Sequence, residues 1–132
     1  MSTPVGAEPE NEQHDPAWPD YLDALVAAPG HHTLLMENER VRVLDTYIRA
    51  GDRTPVHTHR WPATLYVLSW SDFLRFDDKG EVILDSRKVD SLKSPPNTLW
   101  SAPLPPHSLL NVGKADMHII SVELKEPAAL QS

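Results

Sequence analysis

The sequence contains no cysteine, and its 132 residues include only five glycines. Without cysteine the chain has no disulfide bond, no thiolate ligand for zinc and no cysteine nucleophile. The few glycines are not clustered, which argues against a phosphate-cradling loop or a dinucleotide-binding fingerprint. A metal ion, if the protein binds one, must therefore be held by histidine or carboxylate side chains.

Basic residues are absent from the first 28 positions, although these positions hold six acids. Of the 19 acids in the chain, the other 13 are nearly balanced by 12 lysines and arginines, so the net charge of −7 belongs mainly to the N-terminal segment. No basic stripe is present, and we expect no nucleic-acid partner. The sequence also lacks a signal peptide and an apolar run of the roughly 20 residues that cross a bilayer, so we expect no membrane contact and a cytoplasmic location.

The chain divides into four segments by composition. Residues 1–17 are acidic, polar and proline-bearing, and we predict a disordered leader. Residues 18–30 are predicted to form one short helix, because a proline and two aspartates lie near its start and Pro29-Gly30 would end it. Residues 31–126 are typical of an all-β barrel or sandwich, with about ten short strands separated by turns. Residues 127–132 are predicted to be a frayed tail.

Two histidines, His57 and His59, lie just after a glycine turn at Gly51. In an extended strand, residues i and i+2 point to the same face, so the two imidazoles would project side by side, as ligands of one metal ion must. Half a chain later, His107 and Asn111 form an H-x3-N pattern after a proline-rich stretch. The i, i+2 spacing therefore predicts a strand that carries a pair of metal ligands.

Together the G-x5-H-x-H and H-x3-N patterns resemble the two motifs of the cupin superfamily. The stretches Leu65-Tyr66-Val67-Leu68 and Asn111-Val112-Gly113 are also similar to cupin sequences, and residues 31–126 resemble small single-domain bacterial cupins of the RmlC-like type. This resemblance implies an all-β double-stranded β-helix, or jelly-roll barrel, here preceded by a short helix. It also implies a homodimer, and metal ligands at His57, His59 and His107.

The sequence departs from the cupin pattern at the metal ligands. The family's first motif continues with a glutamate ligand, but Ala63 and Thr64 stand at the corresponding places. The glycine that ends this motif is replaced by Trp70, and the glycine before the second-motif histidine by Leu104. The departures reduce the implied ligand set to three imidazoles, which suit Fe, Zn, Ni or Mn and leave coordination positions open.

The cavity implied by the barrel is predicted to take a small apolar ligand. A sugar phosphate would need several inward arginines or lysines, and the strand after the histidine pair is apolar instead. The predicted pocket-lining residues are Ala63, Leu65, Val67, Trp61 and Trp100, with Trp70 as a further candidate.

Two functions follow from the resemblance. The first is a metal-binding cupin with three histidine ligands, an oxygenase-type enzyme acting on a small apolar molecule, since some three-histidine cupins are dioxygenases of diketones or thiols. The alternative is a ligand-binding or sensing cupin that has no metal and no catalytic activity. It rests on the missing carboxylate at Ala63 and Thr64.

Several other polar residues are open to interpretation. Glu123 is interpreted as an exposed carboxylate at the barrel rim, with a general base or a replacement ligand as the alternative. His31-His32 is interpreted as a loop pair, and His118 as a packed or partly exposed strand residue. Three strand arginines are expected to face solvent, with a single anion contact as the alternative: Arg42, Arg49 and Arg75.

Overall fold

The computed structural model of the protein describes residues 18–125. The predicted leader over 1–17 and the predicted tail lie outside the described residues. Within 18–125 no helix is long and apolar enough to span a bilayer. The described elements are a 3-10 turn over Asp20–Leu22, the helix α1 (Ala24–Ala27), and the strands β1 (His32–Glu37), β2 (Val41–Ile48), β3 (His57–His59), β4 (Ala63–Ser69), β5 (Phe73–Asp77), β6 (Val82–Asp85), β7 (Thr98–Ser101), β8 (Leu104–Asn111) and β9 (Met117–Leu124), with two further 3-10 turns at Ser86–Lys88 and Asp90–Leu92.

The strands form two antiparallel sheets that enclose one interior. Five strands pair in the order β1-β2-β9-β4-β7, and four pair in the order β3-β8-β5-β6. The strands β1 and β2, and β5 and β6, pair as sequence neighbours, whereas β9 lies between β2 and β4 and β8 lies between β3 and β5. This arrangement confirms the predicted all-β double-stranded β-helix.

The interior changes from apolar to polar along β9. Met117 and Ile119 belong to the buried apolar cluster, together with Ile48 and Phe73. Ser121 and Glu123 continue the same inward row and are also buried. Each fully buried apolar side chain contributes roughly 1.5–3 kcal/mol, so the apolar end stabilises a barrel whose other end holds polar groups.

The N-terminal helical segment is shorter than the predicted helix over 18–30. The chain forms a 3-10 turn and then a single α-helical turn, because Asp23 between them has an extended backbone with ψ of 143°. The Asp23 carboxylate accepts a hydrogen bond from the Leu25 backbone N–H at 3.1 Å, so it caps α1 rather than continuing a helix. Ala24 and Ala28 are completely buried against the barrel.

Asn111 fastens the closing loop of the barrel. Its amide nitrogen donates to the backbone carbonyls of Ile48 and Ala115, and its amide oxygen accepts from the Ser71 hydroxyl and from the Gly113 N–H. A Cβ at Gly113 would lie 2.8 Å from the Asp72 backbone nitrogen, so only glycine fits this close approach. The H-x3-N pattern thus supplies one cavity histidine and one structural asparagine.

Candidate metal centre

The histidine pair and the second-motif histidine meet across the four-stranded sheet. His57 on β3 is directly paired with His107 on β8. Their ring centroids lie 4.4 Å apart, and those of His57 and His59 lie 5.0 Å apart. His57 and His107 are almost fully buried. The three residues predicted as ligands therefore line one cavity.

A fourth histidine joins this cluster from the other sheet. His32 at the start of β1 is buried, and its ring centroid lies 4.8 Å from that of His57 and 5.2 Å from that of His59. One ring nitrogen each from His32, His57 and His59 lie within 4.8 Å of one another, whereas His107 lies beside His57. The interpretation of His32 as a loop residue is wrong, because β1 begins at that position.

All four rings are held through Nδ1 by oxygen acceptors of the protein. A backbone carbonyl and an ionised carboxylate can only accept, so each of these Nδ1 atoms donates its proton and each Nε2 carries the lone pair. The four imidazoles are therefore held in the tautomer that presents Nε2 as a ligand. The hydrogen bonds are His32 to the Ala28 carbonyl at 3.0 Å, His57 to the Pro55 carbonyl at 2.8 Å, His107 to the Pro105 carbonyl at 2.7 Å and His59 to the Glu123 carboxylate at 3.0 Å.

Burial keeps three of the four imidazoles uncharged, those of His32, His57 and His107. Removal from water lowers the pKa of His32 to about 2, and nearby His59 and His57 lower it further. The same causes, burial first and the neighbouring histidines second, lower the pKa of His57 to about 2. Burial and the proximity of His59 lower the pKa of His107 to about 3. These imidazoles are therefore neutral at physiological pH, which is the state that binds metals.

A buried ion network supports His59 from behind. The Glu123 side chain is only 1% exposed, and its second carboxylate oxygen accepts from Arg42 Nε at 2.7 Å. The terminal nitrogens of Arg42 donate to both carboxylate oxygens of Asp23 at 2.9 and 3.0 Å. The predictions of a solvent-facing Arg42 and an exposed Glu123 are wrong, because the two are paired across β2 and β9 on the inward row.

The charges in this network stabilise one another. Burial raises the pKa of Asp23, but its hydrogen bond to Arg42 and the arginine charge outweigh burial and leave that pKa below its ordinary value. Burial lowers the pKa of Arg42, but the hydrogen bond to Asp23 and the charge of Glu123 leave it raised. Both shifts favour the charged forms of Asp23 and Arg42, so the two remain an ion pair beside the Glu123 carboxylate that accepts from His59.

The predicted pocket residues lie on two different surfaces. Trp61, Ala63 and Leu65 line a cavity of about 120 Å³ beside the histidines, and the cavity wall does not include Val67. Trp100 is 63% exposed and pairs with Thr64, so it lies on the outer face of the five-stranded sheet. Its position reflects the strand period, since residue 64 alternates with the inward residues 63 and 65. Trp70, Phe73 and Arg75 complete much of the wall.

The remaining strand histidine lies away from the cluster. His118 is partly exposed, and its Nε2 lies 3.0 Å from the Asp45 carboxylate on neighbouring β2. This placement matches its interpretation as a strand residue and makes His118 a useful control.

The donor set fits a first-row transition metal. Neutral imidazole nitrogens suit Fe(II), Zn(II), Ni(II) and related ions, whereas Mg²⁺ and Ca²⁺ prefer oxygen ligands. Among the described residues, Glu123 is the only carboxylate that lines the cavity, and both of its oxygens are already engaged by Arg42 and His59. The residues present therefore fit an all-histidine site of His57, His59 and His32, with His107 adjacent.

Comparison with known proteins gives matches among solved structures. No protein-family profile and no curated protein sequence matches the chain. A cupin domain from Bordetella pertussis Tohama I is similar over 72% of this chain and 92% of that chain, with 18% identity and a TM-score of 0.56. An RmlC-like cupin family protein with a double-stranded β-helix fold from Methanocaldococcus jannaschii matches over 76% and 84%, with 13% identity and a TM-score of 0.51.

A third match is an enzyme. The polyketide cyclase RemF from Streptomyces resistomycificus is similar over 77% of this chain and 72% of that chain, with 22% identity and a TM-score of 0.50. At these identities the similarity concerns the fold. Two antiparallel sheets around a histidine-lined cavity, and the likeness to these structures, confirm that the chain has the RmlC-like double-stranded β-helix fold of the cupins.

Proposed function

We propose that the protein binds one divalent first-row transition metal through its histidine cluster and is an oxygenase-type enzyme acting on a small, largely apolar molecule. The observation that supports this function is that four imidazoles, each held through Nδ1 by a protein oxygen, line one cavity, and that burial keeps those of His32, His57 and His107 neutral. His57 and His59 are the central ligands, and His32 supplies the third nitrogen of the closest group. His107 is the fourth imidazole beside them.

The surrounding residues prepare this site for chemistry. A bound metal of this kind supplies Lewis-acid polarisation of a substrate oxygen and, as Fe(II), reactivity with O₂. Glu123 and the carbonyls of Ala28, Pro55 and Pro105 hold the rings in place. The largely apolar wall leaves room for a small organic molecule.

A metal-free ligand-binding protein is the second candidate. It is favoured by the observation that each ring of the cluster already has a protein partner at Nδ1 and needs no ion to be held in place. Ala63 also offers no carboxylate to strengthen the binding of a cation. In this case the cavity alone would be the functional feature.

Elemental analysis of untagged protein separates the two candidates. We expect about one first-row metal ion per chain after growth in medium containing Fe, Mn, Ni and Zn. A chelator should lower the melting temperature, and one metal should restore it. The variant His57→Ala should lose the metal, and His118→Ala, which removes a histidine outside the cluster, should retain it. Protein that holds no metal and is insensitive to chelator would support the metal-free candidate.

Oxygen uptake tests the reaction class. The Fe(II)-loaded protein is mixed with small apolar diketones and thiols in an oxygen electrode, with the His57→Ala variant as the control. Uptake that requires both His57 and a substrate would support an oxygenase. Turnover without O₂ uptake would instead favour a non-oxidative reaction, such as the cyclisation that the name of RemF describes.

The other expected properties remain proposals of the same kind. They are a small-molecule partner, a homodimer, a cytoplasmic location, and no association with nucleic acid or membrane.

A further inference from the structure

Arg75 is a cavity residue without an acidic partner in the described part of the chain, and its guanidinium carbon lies 5.8 Å from the centroid of the Phe73 ring. It projects from β5 into the cavity on the same strand face as Phe73. The side chain is partly buried, and its Nε is fully buried without a hydrogen-bond partner. Among residues 18–125 no carboxylate forms an ion pair with it. Burial lowers the pKa of Arg75 from its ordinary value, and no acid offsets this effect.

Arg42, the inward arginine of β2, differs from Arg75 because it has acidic partners. Arg42 is more deeply buried, but Asp23 and Glu123 satisfy its guanidinium with three hydrogen bonds. Arg42 is thus paired with two carboxylates, whereas no carboxylate of residues 18–125 pairs with Arg75. A partly buried charge with a buried, unpaired Nε–H and no acidic partner is unfavourable, which indicates that an anion from outside the chain is its partner.

The acid on the same strand as Arg75 is already committed elsewhere. Asp77 accepts hydrogen bonds from the backbone N–H groups of Lys79 and Glu81 in the following turn. These bonds, and the backbone bond at Glu81 first among them, hold the pKa of Asp77 below its ordinary value. Asp77 thus stabilises the β5–β6 turn and forms no ion pair with Arg75.

The size and the lining of the cavity indicate the size and polarity of the rest of the ligand. The cavity volume of about 120 Å³ is close to the ~150 Å³ of an apolar cavity that holds benzene. Ser121 lies on the facing sheet, and its buried hydroxyl also has no hydrogen-bond partner. Most of the remaining wall is apolar, including Leu65, Trp70, Phe73, Leu109, Met117 and Ile119.

We propose that Arg75 is the anion-binding residue of this cavity and that the ligand is a small carboxylic acid with an apolar body. The inference rests on the proposed function, because it takes the cavity beside the histidines as the ligand site. A carboxylate matches the planar guanidinium fork, and its charge would also offset that of a divalent cation held by neutral imidazoles. A phosphate ester would need more donors than one arginine supplies.

Binding of benzoate and benzamide tests this inference without an activity assay. Both probes have the same ring and nearly the same size, but only benzoate is charged. Calorimetric titrations are run on chelator-treated and on Zn-loaded protein, with acetate and chloride as further probes. The variants are Arg75→Met and Arg75→Lys, and the control is Arg49→Met, which removes an exposed arginine.

We expect benzoate to bind the protein about tenfold or more tightly than benzamide. Benzamide has no negative charge, so it lacks the charge-assisted hydrogen bonds that benzoate would form with Arg75. Arg75→Met should remove this preference, Arg75→Lys should keep part of it, and Arg49→Met should keep all of it. Without ligand, Arg75→Met should melt at the same temperature as the parent protein or higher, since it removes an unpaired buried charge. A lower melting temperature or a failure to fold would assign Arg75 a structural role and contradict the inference.

Other outcomes would also overturn it. Equal binding of benzoate and benzamide, no binding of benzoate, or benzoate binding that survives in Arg75→Met would each contradict an anion site at Arg75. If chloride or acetate bound as tightly as benzoate, the proposal that the ligand has an apolar body would be wrong. Failure of the metal proposal is distinguishable, because it would appear as absent zinc uptake with Arg75-dependent benzoate binding intact.

Discussion

Glu123 lies directly opposite Ala63 in the β4–β9 ladder, so a carboxylate enters the site from the strand beside the one where the cupin pattern places it. Its two carboxylate oxygens accept hydrogen bonds from His59 and Arg42, so Glu123 holds the His59 ring in position. The small side chain of Ala63 leaves room for this arrangement. We infer that Glu123 positions His59 rather than binding the metal itself.

Glu123→Gln should therefore lower both stability and metal affinity. The amide retains the shape but removes the charge that faces Arg42 and His59, and a broken buried pair costs about 3–5 kcal/mol. Loss of such a supporting group typically weakens metal binding by about 10–100-fold. Urea unfolding and competitive metal titration measure the two effects.

The matched control is Glu37→Gln, which removes the carboxylate of a more exposed pair with Lys125. It should change the free energy of unfolding by at most about 1 kcal/mol and leave metal affinity unchanged. If Glu123→Gln behaved like this control, Glu123 would not be the positioning residue of His59.

The alternation of short strands and turns predicted an all-β barrel or sandwich, and the i, i+2 spacing predicted the histidine pair, because both are local properties of the sequence. The resemblance to the two cupin motifs added the double-stranded β-helix. The sequence did not predict the roles of Glu123 and Arg42, because these roles depend on a contact between residues 81 positions apart in the chain. A charged residue in a strand is normally exposed, and only the position of Arg42 two residues before buried Leu44, on the same strand face, would have placed it inward. His32 escaped for the same reason, since it lies on the opposite sheet from His57.

His32 and His107 compete for the third ligand position, and single substitutions distinguish them. The closest group of nitrogens comes from His32, His57 and His59, so His32→Ala should weaken metal binding by about tenfold or more, and His107→Ala should weaken it less. The neighbouring His31→Ala removes a histidine that pairs with Asp52 and should leave affinity unchanged. Isothermal titration with Zn²⁺ gives the three affinities. A larger loss in His107→Ala than in His32→Ala would favour the ligand set predicted from the sequence motifs.

Acid should destabilise the metal-free protein well before its carboxylates titrate. The pKa values of His32 and His57 are lowered to about 2 and that of His107 to about 3, each chiefly by burial, from an ordinary value of 6.5. Below pH 6.5 the unfolded chain therefore binds protons that the folded protein does not. Stability is complete above this pH and falls as the pH drops toward the folded values.

The slope of this loss can be measured. Each histidine contributes at most about 1.4 kcal/mol per pH unit, so urea midpoints of chelator-treated protein should fall steadily between about pH 7 and about pH 4.5. His57→Gln should show a shallower slope than the parent protein, because it removes one such group. Midpoints that stayed constant over this interval would contradict neutral, buried imidazoles.

The predicted homodimer is expected to form through the outer face of the five-stranded sheet. Tyr66, Leu68 and Trp100 are 48%, 52% and 63% exposed on adjacent strands β4 and β7, and an apolar group of this kind favours a protein contact. In light scattering after size exclusion, the parent protein should be a dimer, and the double variant Leu68→Lys with Trp100→Lys should be a monomer. Val82→Lys with Ile83→Lys changes equally exposed apolar residues on the other sheet and should stay dimeric. If only the Val82 and Ile83 substitutions dissociated the dimer, the interface would be at β6 instead. A monomeric parent protein would contradict the predicted dimer.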